Sequence, residues 1–254
     1  MSKKLTIASW NIAGGRAMRS LDHFDYEEEN LGYFAGILKA ADPDVILLQE
    51  VHFSESRSVA RDLADMLGYV NVYEQPMSPS HIDNAFQLGM AVLSKEPLEP
   101  LGTIQYAYPH FPLFFSDGRP AIVHHKGAQV FMADGVMIAN TQMLPLPVFG
   151  AHYDEGEGNV LAGRIESALL QGLKPPVIFG GDFNFDMPSA IYPNLYAQLK
   201  LHEALPDELT RPNKENAKKT PDHILYSEGL ALLDSYIQPV RADHYLCVAK
   251  FEIA

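Results

Sequence analysis

Residues 177–184 read VIFGGDFN, and this stretch is the most informative in the chain. Three apolar residues and two glycines are followed by Asp182 and Asn184. A short apolar run bounded by turn-forming residues predicts a buried strand. Its end would carry a carboxylate and an amide on a rigid element. Taken alone this is a weak motif, because Asp and Asn after a strand usually form turns.

Similar segments recur along the chain. Short runs rich in apolar, β-branched or aromatic residues predict strands over 4–10, 45–49, 88–93, 121–125, 136–140, 177–180, 223–226 and 246–253. Helical spacing predicts three helices, around residues 31–38, 59–66 and 161–169, with Pro43, Gly68 and Gly172 after them. Many strands with few helices, in no strict alternation, indicate packed sheets flanked by helices.

Length and charge narrow the class of protein. The chain has 254 residues, 47% of them hydrophobic, and a formal net charge of −13. We predict a single domain over 1–254, since this length is ordinary for one sandwich or α/β domain. The acidic balance disfavours a protein that coats nucleic acid through bulk charge. The single cysteine, Cys247, excludes a disulfide framework and a zinc site of several thiolates.

No apolar run reaches the roughly 18 residues that a membrane span needs. The start, Met1-Ser2-Lys3-Lys4, is followed by too brief an apolar run for a secretory signal. We therefore predict a cytoplasmic localisation with no transmembrane segment.

Polar side chains that packing does not require stand at the ends of several predicted strands. They are Asn11, Glu50, Asp182, Asn184, Asp222, Asp243 and His244. Each has an ordinary explanation as a turn former or a solvated strand end. Together they match the needs of phosphoester hydrolysis: a divalent cation, a base for water and donors for the developing charge.

The residue types fit this chemistry. Mg²⁺ prefers oxygen ligands and keeps several waters, so one or two carboxylates suffice to bind it. Asn supplies an uncharged donor that does not repel phosphate, and a His beside an Asp can carry positive charge. Glu50, Asp182, Asn184, Asp222, Asp243 and His244 supply that set.

The ordered motifs resemble the endonuclease/exonuclease/phosphatase superfamily, which includes exonuclease-III-type repair nucleases, pancreatic-type DNases, sphingomyelinases and inositol polyphosphate 5-phosphatases. The matching stretches are IASWNIAGG at 7–15, PDVILLQEV at 43–51, GMAVLSKEPL at 89–98, IANTQ at 138–142, VIFGGDFN at 177–184, TPDHILYS at 220–227 and RADHYLCVAKFEI at 241–253. The resemblance implies an α/β (α+β) four-layer sandwich, in which two packed, mainly antiparallel mixed β-sheets are flanked by helices. It also implies a metal-dependent hydrolase in which an activated water attacks phosphorus in line.

The resemblance implies a role for each motif residue. Glu50 would be the main metal ligand, with Asn11 beside the metal and Asp243 near it, directly or through water. Asp182 would orient or deprotonate the attacking water, and Asn184 would donate to the scissile phosphate. The implied cofactor is Mg²⁺, for which Mn²⁺ can substitute.

The implied role of His244 is to bond a phosphate oxygen and stabilise the pentacovalent state. Asp222 would hold His244 in the right tautomer, as a carboxylate does for other catalytic imidazoles. Arg119, in the turn DGRP, resembles a family arginine that reaches toward phosphate. A surface arginine in a turn is the equal alternative.

Gln142 departs from the family pattern, in which a His, or a Tyr in the repair nucleases, commonly follows the strand. Gln can donate a hydrogen bond to phosphate but cannot supply a proton as a protonated His can. We place Gln142 among the catalytic positions and favour a role in preserving a hydrogen bond. The leaving group would then take its proton from a metal-bound water or another side chain, or need none.

The favoured function is an Mg²⁺-dependent phosphodiesterase acting on a small-molecule, lipid-linked or nucleic-acid phosphoester. The alternative is a DNA or RNA nuclease, or a nucleic-acid end-processing enzyme, against which the bulk charge argues mildly. A remoter alternative is a catalytically inactive binding module of the same fold, which Gln142 favours and the retained carboxylates disfavour. No obligate protein partner is evident.

Three irregular stretches leave their roles open. Residues 22–29 are acidic, and residues 211–220, RPNKENAKKT, are locally basic and either contact a polyanion or form a solvated loop. Residues 106–115, YAYPHFPLFF, either stack on a ligand or pack as an irregular connection, which we favour. His81 lies in a loop near the predicted mouth, and His124 and His125 are more typical of core or surface histidines than of a metal site.

Overall fold

A computed structural model describes residues 3–19, 28–121, 124–206, 208–211 and 220–253. The first large sheet contains β1 (Lys3–Asn11), β4 (Val45–Phe53), β5 (Asn71–Pro79), β6 (Gln87–Ser94), β13 (Leu230–Gln238) and β14 (Leu246–Ile253), in the order β13-β14-β1-β4-β6-β5. The second contains β7 (Glu99–Gln105), β8 (Gly127–Ala133), β9 (Val136–Gln142), β10 (Val177–Asp182), β11 (Leu201–Glu203) and β12 (Asp222–Ser227), in the order β11-β12-β10-β9-β8-β7.

The remaining elements are short or helical. Strands β2 (Arg16–Ala17) and β3 (Glu28–Glu29) form a small ribbon. The α-helices are α1 (Leu31–Ala41), α2 (Val59–Leu67), α3 (Gly156–Gly172), α4 (Pro188–Ile191) and α5 (Pro193–Leu199). Two 3₁₀ turns cover Ala13–Gly15 and Leu146–Phe149. None of the helices in the described ranges has the length and apolar character of a membrane span.

Both sheets are mixed and mainly antiparallel, as predicted. Strands β1 and β4 run parallel, as do β9 and β10, and the other pairs in the two large sheets are antiparallel. The side chains of a strand alternate between faces. In β1, Ile7 packs between the two sheets, whereas Ala8 and Trp10 pack beneath α1 and α2.

The second sheet is built in the same way. Ile178 of β10 packs between the sheets, while Phe179 packs on its other face with Leu161 and Leu169 of α3. The layers are therefore helix, sheet, sheet and helix, and the four-layer α/β sandwich is confirmed.

The three predicted helices are present, but one predicted strand is wrong. Over 121–125, Ala121, His124 and His125 lie outside any strand, and residues 122–123 are outside the described ranges. The strand begins later, at Gly127 in β8. Sequence patterns also miss β5, β7, β11 and β13, because these outer strands are short or have exposed or half-buried faces rather than apolar runs.

The two glycines of VIFGGDFN allow close packing rather than a bend. Strand β10 continues through both of them to Asp182. Gly181 has a φ of 148°, and a Cβ there would lie 2.0 Å from the carbonyl oxygen of Thr141 in β9. A Cβ on Gly180 would lie 3.1 Å from Leu47 of the other sheet. The two glycines therefore let β10 lie close to β9 in its own sheet and to β4 in the facing sheet, just before Asp182.

A buried amide network joins the two sheets. The pairing of β4 with β6 shifts between Leu48 and Val51, which places Gln49 and Glu50 in a β-bulge. From the second sheet, the Asn140 amide nitrogen donates to the carbonyl oxygens of Leu48 and Ala91, each at 3.1 Å. Asn140 Oδ1 accepts from Gln49 Nε2 at 2.7 Å. Asn140 is fully buried, so its hydrogen bonds are shielded from water.

We expect Asn140→Ala to lower the free energy of unfolding by about 2–4 kcal/mol, because buried partners on Leu48, Ala91 and Gln49 lose their hydrogen bonds. Urea denaturation followed by circular dichroism measures the change. Gln105→Ala, at an exposed position of the outer strand β7, is the control and should change stability by less than about 0.5 kcal/mol. An equal effect of the two variants would contradict this account of the network.

Candidate active site

One row across the second sheet positions three of the predicted residues. In the strand register, Asp182 of β10 pairs with Asp222 of β12 on one side and with Gln142 of β9 on the other. Gln142 in turn pairs with Gly127 of β8. Neighbouring strands lie about 4.8 Å apart, so these side chains share one edge of the sheet.

The first sheet contributes the facing residues. Asn11 ends β1, Glu50 lies in the bulge of β4, and Asp243 and His244 precede β14. Glu50 has a left-handed backbone conformation, with a φ of 51°. Such a conformation is uncommon for a non-glycine residue, and here it accompanies the bulge that re-aims the side chain.

Asp182 is held by three donors. Asn11 Nδ2 donates to Oδ2 at 3.0 Å, the Asn184 backbone N–H donates to Oδ1 at 3.0 Å, and Asn184 Nδ2 donates to Oδ2 at 3.1 Å. Burial raises the pKa of Asp182 to about 6, against the opposing charge of His244. This buried carboxyl is therefore fixed in place and able to exchange a proton near neutral pH.

His244 is paired with Asp222 across the two sheets. The Asp222 carboxylate accepts from His244 Nδ1 at 2.8 and 3.0 Å, and Trp10 Nε1 donates to the His244 carbonyl oxygen at 2.9 Å. Burial alone would lower the pKa of His244, but the charges of Asp222 and Asp182 raise it to about 10. The ring is therefore a cation whose Nδ1 is fixed by Asp222.

Glu50 is part of a second chain of contacts. Its Oε1 accepts from Gln142 Nε2 at 2.9 Å, and Gln142 Oε1 accepts from Lys126 Nζ at 2.6 Å. Burial would raise the pKa of Glu50, but the nearby charges of His81, Lys126 and His244 hold it below its ordinary value. Glu50 is therefore an ionised carboxylate at neutral pH.

Asp243 is engaged by an arginine. Arg211 Nη2 donates to both carboxylate oxygens of Asp243, at 2.6 and 2.7 Å, and Arg211 Nε donates to Oδ1 at 3.0 Å. The rest of the basic stretch, residues 212–219, lies outside the described ranges, as do residues 22–27 of the acidic one. The role of Asp243 near a metal stays a prediction, and a direct bond would compete with Arg211.

Six of these predicted residues border a cavity of about 230 Å³, whereas Asn11 and Asp222 contact the lining residues Asp182 and His244. Its charged and polar lining includes Glu50, Lys126, Gln142, Asp182, Asn184, Arg211, Asp243 and His244. Its apolar lining includes Met77, Leu88, Phe115, Leu144, Pro145, Val148 and Phe149. The cavity therefore combines charged and polar groups with apolar surface.

The structure brings eight of the predicted residues into this group but not the ninth. Arg119 is exposed, paired with Asp117 at 2.7 Å and stacked over Phe115 at 5.5 Å from the ring centroid. Phe115 lines the cavity, but Arg119 is not among the lining residues. Contact of Arg119 with phosphate stays a prediction.

Sequence reasoning missed Lys126 and the pairing of Arg211 with Asp243. Lys126 directly precedes β8, and its position beside a buried strand was the only signal available. His81, predicted to lie in a loop near the mouth, also lines the cavity.

Ligand atoms of Asp182, Asp222 and His244 lie within 4.8 Å of one another, which makes this trio a geometric candidate for a metal site. In the structure, however, His244 Nδ1 is already engaged by both carboxylate oxygens of Asp222, at 2.8 and 3.0 Å. His244 already neutralises part of the charge of the two aspartates. Glu50 is the ionised carboxylate of the cavity that has no such histidine partner in the described ranges.

The His244–Asp222 pair should make stability depend on pH. Since the folded state raises the pKa of His244 from 6.5 to about 10, its contribution is complete below pH 6.5 and is lost as the pH rises to 10. We expect the stability difference between wild type and His244→Gln to be largest near pH 6 and to shrink by pH 10. Denaturation with chelator present measures it, and His202→Gln on an exposed strand position is the control. A pH-independent difference would contradict the assigned charge.

Comparison with known proteins agrees with the fold and the motif order. The sequence profile described as the Endonuclease/Exonuclease/phosphatase family matches residues 8–244. Comparison with curated proteins gives no match. Among solved structures, a family protein from Beutenbergia cavernae superposes with a TM-score of 0.70 at 15% identity, covering 99% of this chain and 72% of that one.

Two further structures share the fold at similar identity. The human Nocturnin catalytic domain with bound sulfate gives a TM-score of 0.64 at 17% identity, covering 100% of this chain and 97% of that one. ANGEL2, a 2′,3′-cyclic phosphatase in complex with adenosine-2′,3′-vanadate, gives 0.63 at 17%, covering 99% and 96%. Because the family profile spans nearly the whole sequence, this chain belongs to the endonuclease/exonuclease/phosphatase family.

Proposed function

We propose that the protein is an Mg²⁺-dependent phosphodiesterase that hydrolyses its substrate by in-line attack of water. The supporting observation is the setting of Asp182, which is held by Asn11 and Asn184 and feels the charges of both His244 and Glu50. Members of this family are phosphoester hydrolases. A base, a cation and a hydrogen-bond donor around one cavity are what such a reaction needs.

In this proposal Asp182 is the base. Its pKa of about 6 leaves the carboxylate largely ionised at neutral pH, and its three donors fix the direction in which it accepts a proton. The proton of the attacking water passes to Asp182 as the water oxygen bonds to phosphorus. The fixed position removes the need to orient the base during the reaction.

His244 and Asn184 are proposed to bind the phosphoryl group. The imidazolium of His244 offers Nε2–H to a phosphate oxygen while Asp222 holds Nδ1, and its charge stabilises the pentacovalent state. Asn184 Nδ2 now donates to Asp182 and to the Met143 carbonyl oxygen, so binding phosphate requires it to exchange one of these contacts.

The residues present fit a hard divalent cation. Glu50 lines the cavity as an ionised carboxylate, and oxygen donors are the ligands that Mg²⁺ prefers. The amide nitrogen of Asn11 donates to Asp182 and its Oδ1 accepts from the Ala13 N–H, so Asn11 is suited to hold the carboxylates. When bound, the cation would neutralise charge on a phosphate oxygen.

The cavity supports a compact substrate. A volume of about 230 Å³ with an apolar wall suits a small or lipid-linked phosphodiester better than a long duplex. The net charge of −13 also opposes extended contacts with a polyanion. The remoter alternative is an inactive binding module. Clustering buried carboxylates costs free energy, and a module without catalytic activity would have no need of such a cluster.

A nucleic-acid end-processing activity is the second candidate function. It is favoured by the similarity to ANGEL2, a 2′,3′-cyclic phosphatase, whose ligand carries a phosphate-like group on a nucleoside. A substrate panel separates the two functions: single-stranded and abasic DNA, duplex DNA, nucleotides, inositol phosphates and sphingomyelin. We expect turnover of small or lipid phosphodiesters to exceed that of every nucleic-acid substrate in the panel. The reverse order would favour the end-processing or nuclease activity.

We expect bis-p-nitrophenyl phosphate to be hydrolysed with Mg²⁺ or Mn²⁺ and the reaction to stop when EDTA is added. Metal-independent turnover, or no turnover of any phosphoester with either cation, would overturn the proposed function. Release of p-nitrophenol, followed by absorbance, measures the rate.

Two variants separate the roles of Asp182 and Glu50. Asp182→Asn should lower kcat by about 10² or more at saturating Mg²⁺, because it removes the base. Glu50→Gln should raise the Mg²⁺ concentration for half-maximal activity by about tenfold or more, because a charged ligand is lost. Exposed Asp134→Asn is the matched control and should change neither value. If both variants altered only metal affinity, Asp182 would not be the base.

A further inference from the structure

Lys126 places a cation at the cavity without an ion-pair partner. Its Nζ donates to Gln142 Oε1 at 2.6 Å, and this acceptor is a neutral amide. Within the described ranges, no carboxylate lies within 4.0 Å of Nζ. The side chain is half-buried and lines the cavity. A partly desolvated ammonium group in such a place favours an anionic ligand.

Gln142 holds this ammonium group in position. Its side-chain nitrogen donates to Glu50 Oε1 at 2.9 Å, which fixes the amide so that its oxygen faces Lys126. Gln142 is buried at the end of β9, where its backbone is paired with strands on both sides. The Lys126 contact is therefore supported by a rigid element rather than by a flexible loop alone.

The strand register places Lys126 on the far flank of the base. Along the row, Asp222 lies on one side of Asp182, and Gln142 and then Gly127 lie on the other. The backbone of Lys126, next to Gly127, lies two strand spacings, or about 10 Å, from the backbone of Asp182. In-line displacement puts the attacking and leaving oxygens on opposite sides of phosphorus. A donor on this flank, away from His244, is suited to the leaving oxygen.

The neighbouring histidine cannot supply that charge. His124 also lines the cavity, but burial and the charge of Lys126 lower its pKa to about 4, so it is neutral at pH 7. Burial also lowers the pKa of Lys126, although the charges of Glu50 and Asp182 oppose this shift. A less basic ammonium group is a better proton donor at neutral pH.

We propose that Lys126 is a catalytic residue that donates its Nζ proton to the leaving-group oxygen, with Gln142 as its positioning residue. This inference rests on the proposed phosphodiesterase function. The water oxygen bonds to phosphorus and its proton passes to Asp182, while the bond from phosphorus to the leaving oxygen breaks. The leaving oxygen takes a proton from Nζ and departs as an alcohol. Solvent then removes the proton from Asp182 and reprotonates Lys126.

The test is the dependence of rate on the leaving group. Wild type and Lys126→Met are compared on methyl aryl phosphodiesters whose phenol leaving groups range from nitrophenol to phenol and on a dialkyl phosphodiester. A proton donor matters most for a basic leaving group. We expect the loss of kcat to grow from about tenfold or less for nitrophenol to about 10³-fold for the most basic leaving group.

Further variants check the fold and the positioning role. Lys126→Arg keeps the positive charge but has no proton that it can transfer, because a guanidinium stays protonated in proteins, so it should recover little of the loss on basic leaving groups. Gln142→Met should show the same trend with smaller losses. Lys39→Met, on the exposed face of α1, should match wild type on every ester. Thermal unfolding of each variant shows whether its fold is retained.

A loss of equal size for all leaving groups would overturn the inference, because Lys126 would then contact a non-bridging oxygen or act structurally. No loss in Lys126→Met would also overturn it. Either result leaves the proposed function standing, since wild type remains active. If wild type with Mg²⁺ hydrolyses none of the esters, the proposed function fails, and the inference that rests on it fails with it.

Discussion

The contact of Asn140 with the β4 bulge is the constraint on which the site depends. A bulge interrupts the ladder between β4 and β6 and would leave backbone carbonyl groups in the core. Asn140, from the other sheet, donates to two of those carbonyl oxygens and accepts from Gln49. The bulge can therefore turn Glu50 toward the cavity only where the second sheet supplies this amide. The position of Glu50 therefore depends on the packing of the two sheets.

Other contacts across the sheets extend this dependence. Asn11 and Asp182, His244 and Asp222, and Gln142 and Glu50 each join a residue of the first sheet, or of the loop before β14, to one of the second. No single sheet contains the site. Because the acids and cations meet only when the sheets pack, their shifted pKa values belong to the folded state and link the titration of the site to stability.

Motif order, strand patterns and the family resemblance they carry predicted the four layers, the three longer helices and the eight residues that the structure brings together, six of which line the cavity. Buried strands such as β10 have an apolar run that sequence reveals, whereas β13 is largely exposed and lacks one. Lys126 could not be predicted, because its environment depends on contacts between residues that are far apart in sequence. Lys126 and Gln142 are 16 residues apart, and Gln142 and Glu50 are 92 residues apart. A contact of Arg119 with phosphate was predicted from the position of its turn. Its pairing with Asp117 is a local contact that motif position does not reveal.

Charge balance explains why so many acids can share this small region. Burial raises the pKa of Asp182, and the nearby charges of Asp222 and Glu50 raise it further, because like charges held close together disfavour ionisation. Cations next to separate acids reduce the repulsion between these acids. His244 lies beside Asp222, Arg211 pairs with Asp243, and Lys126 contacts Gln142, which in turn contacts Glu50. The net charge of −13 therefore says little about the cavity, where positive groups alternate with acids. An anionic substrate would meet this local arrangement, and the bulk charge would act mainly on long polyanions that extend beyond it.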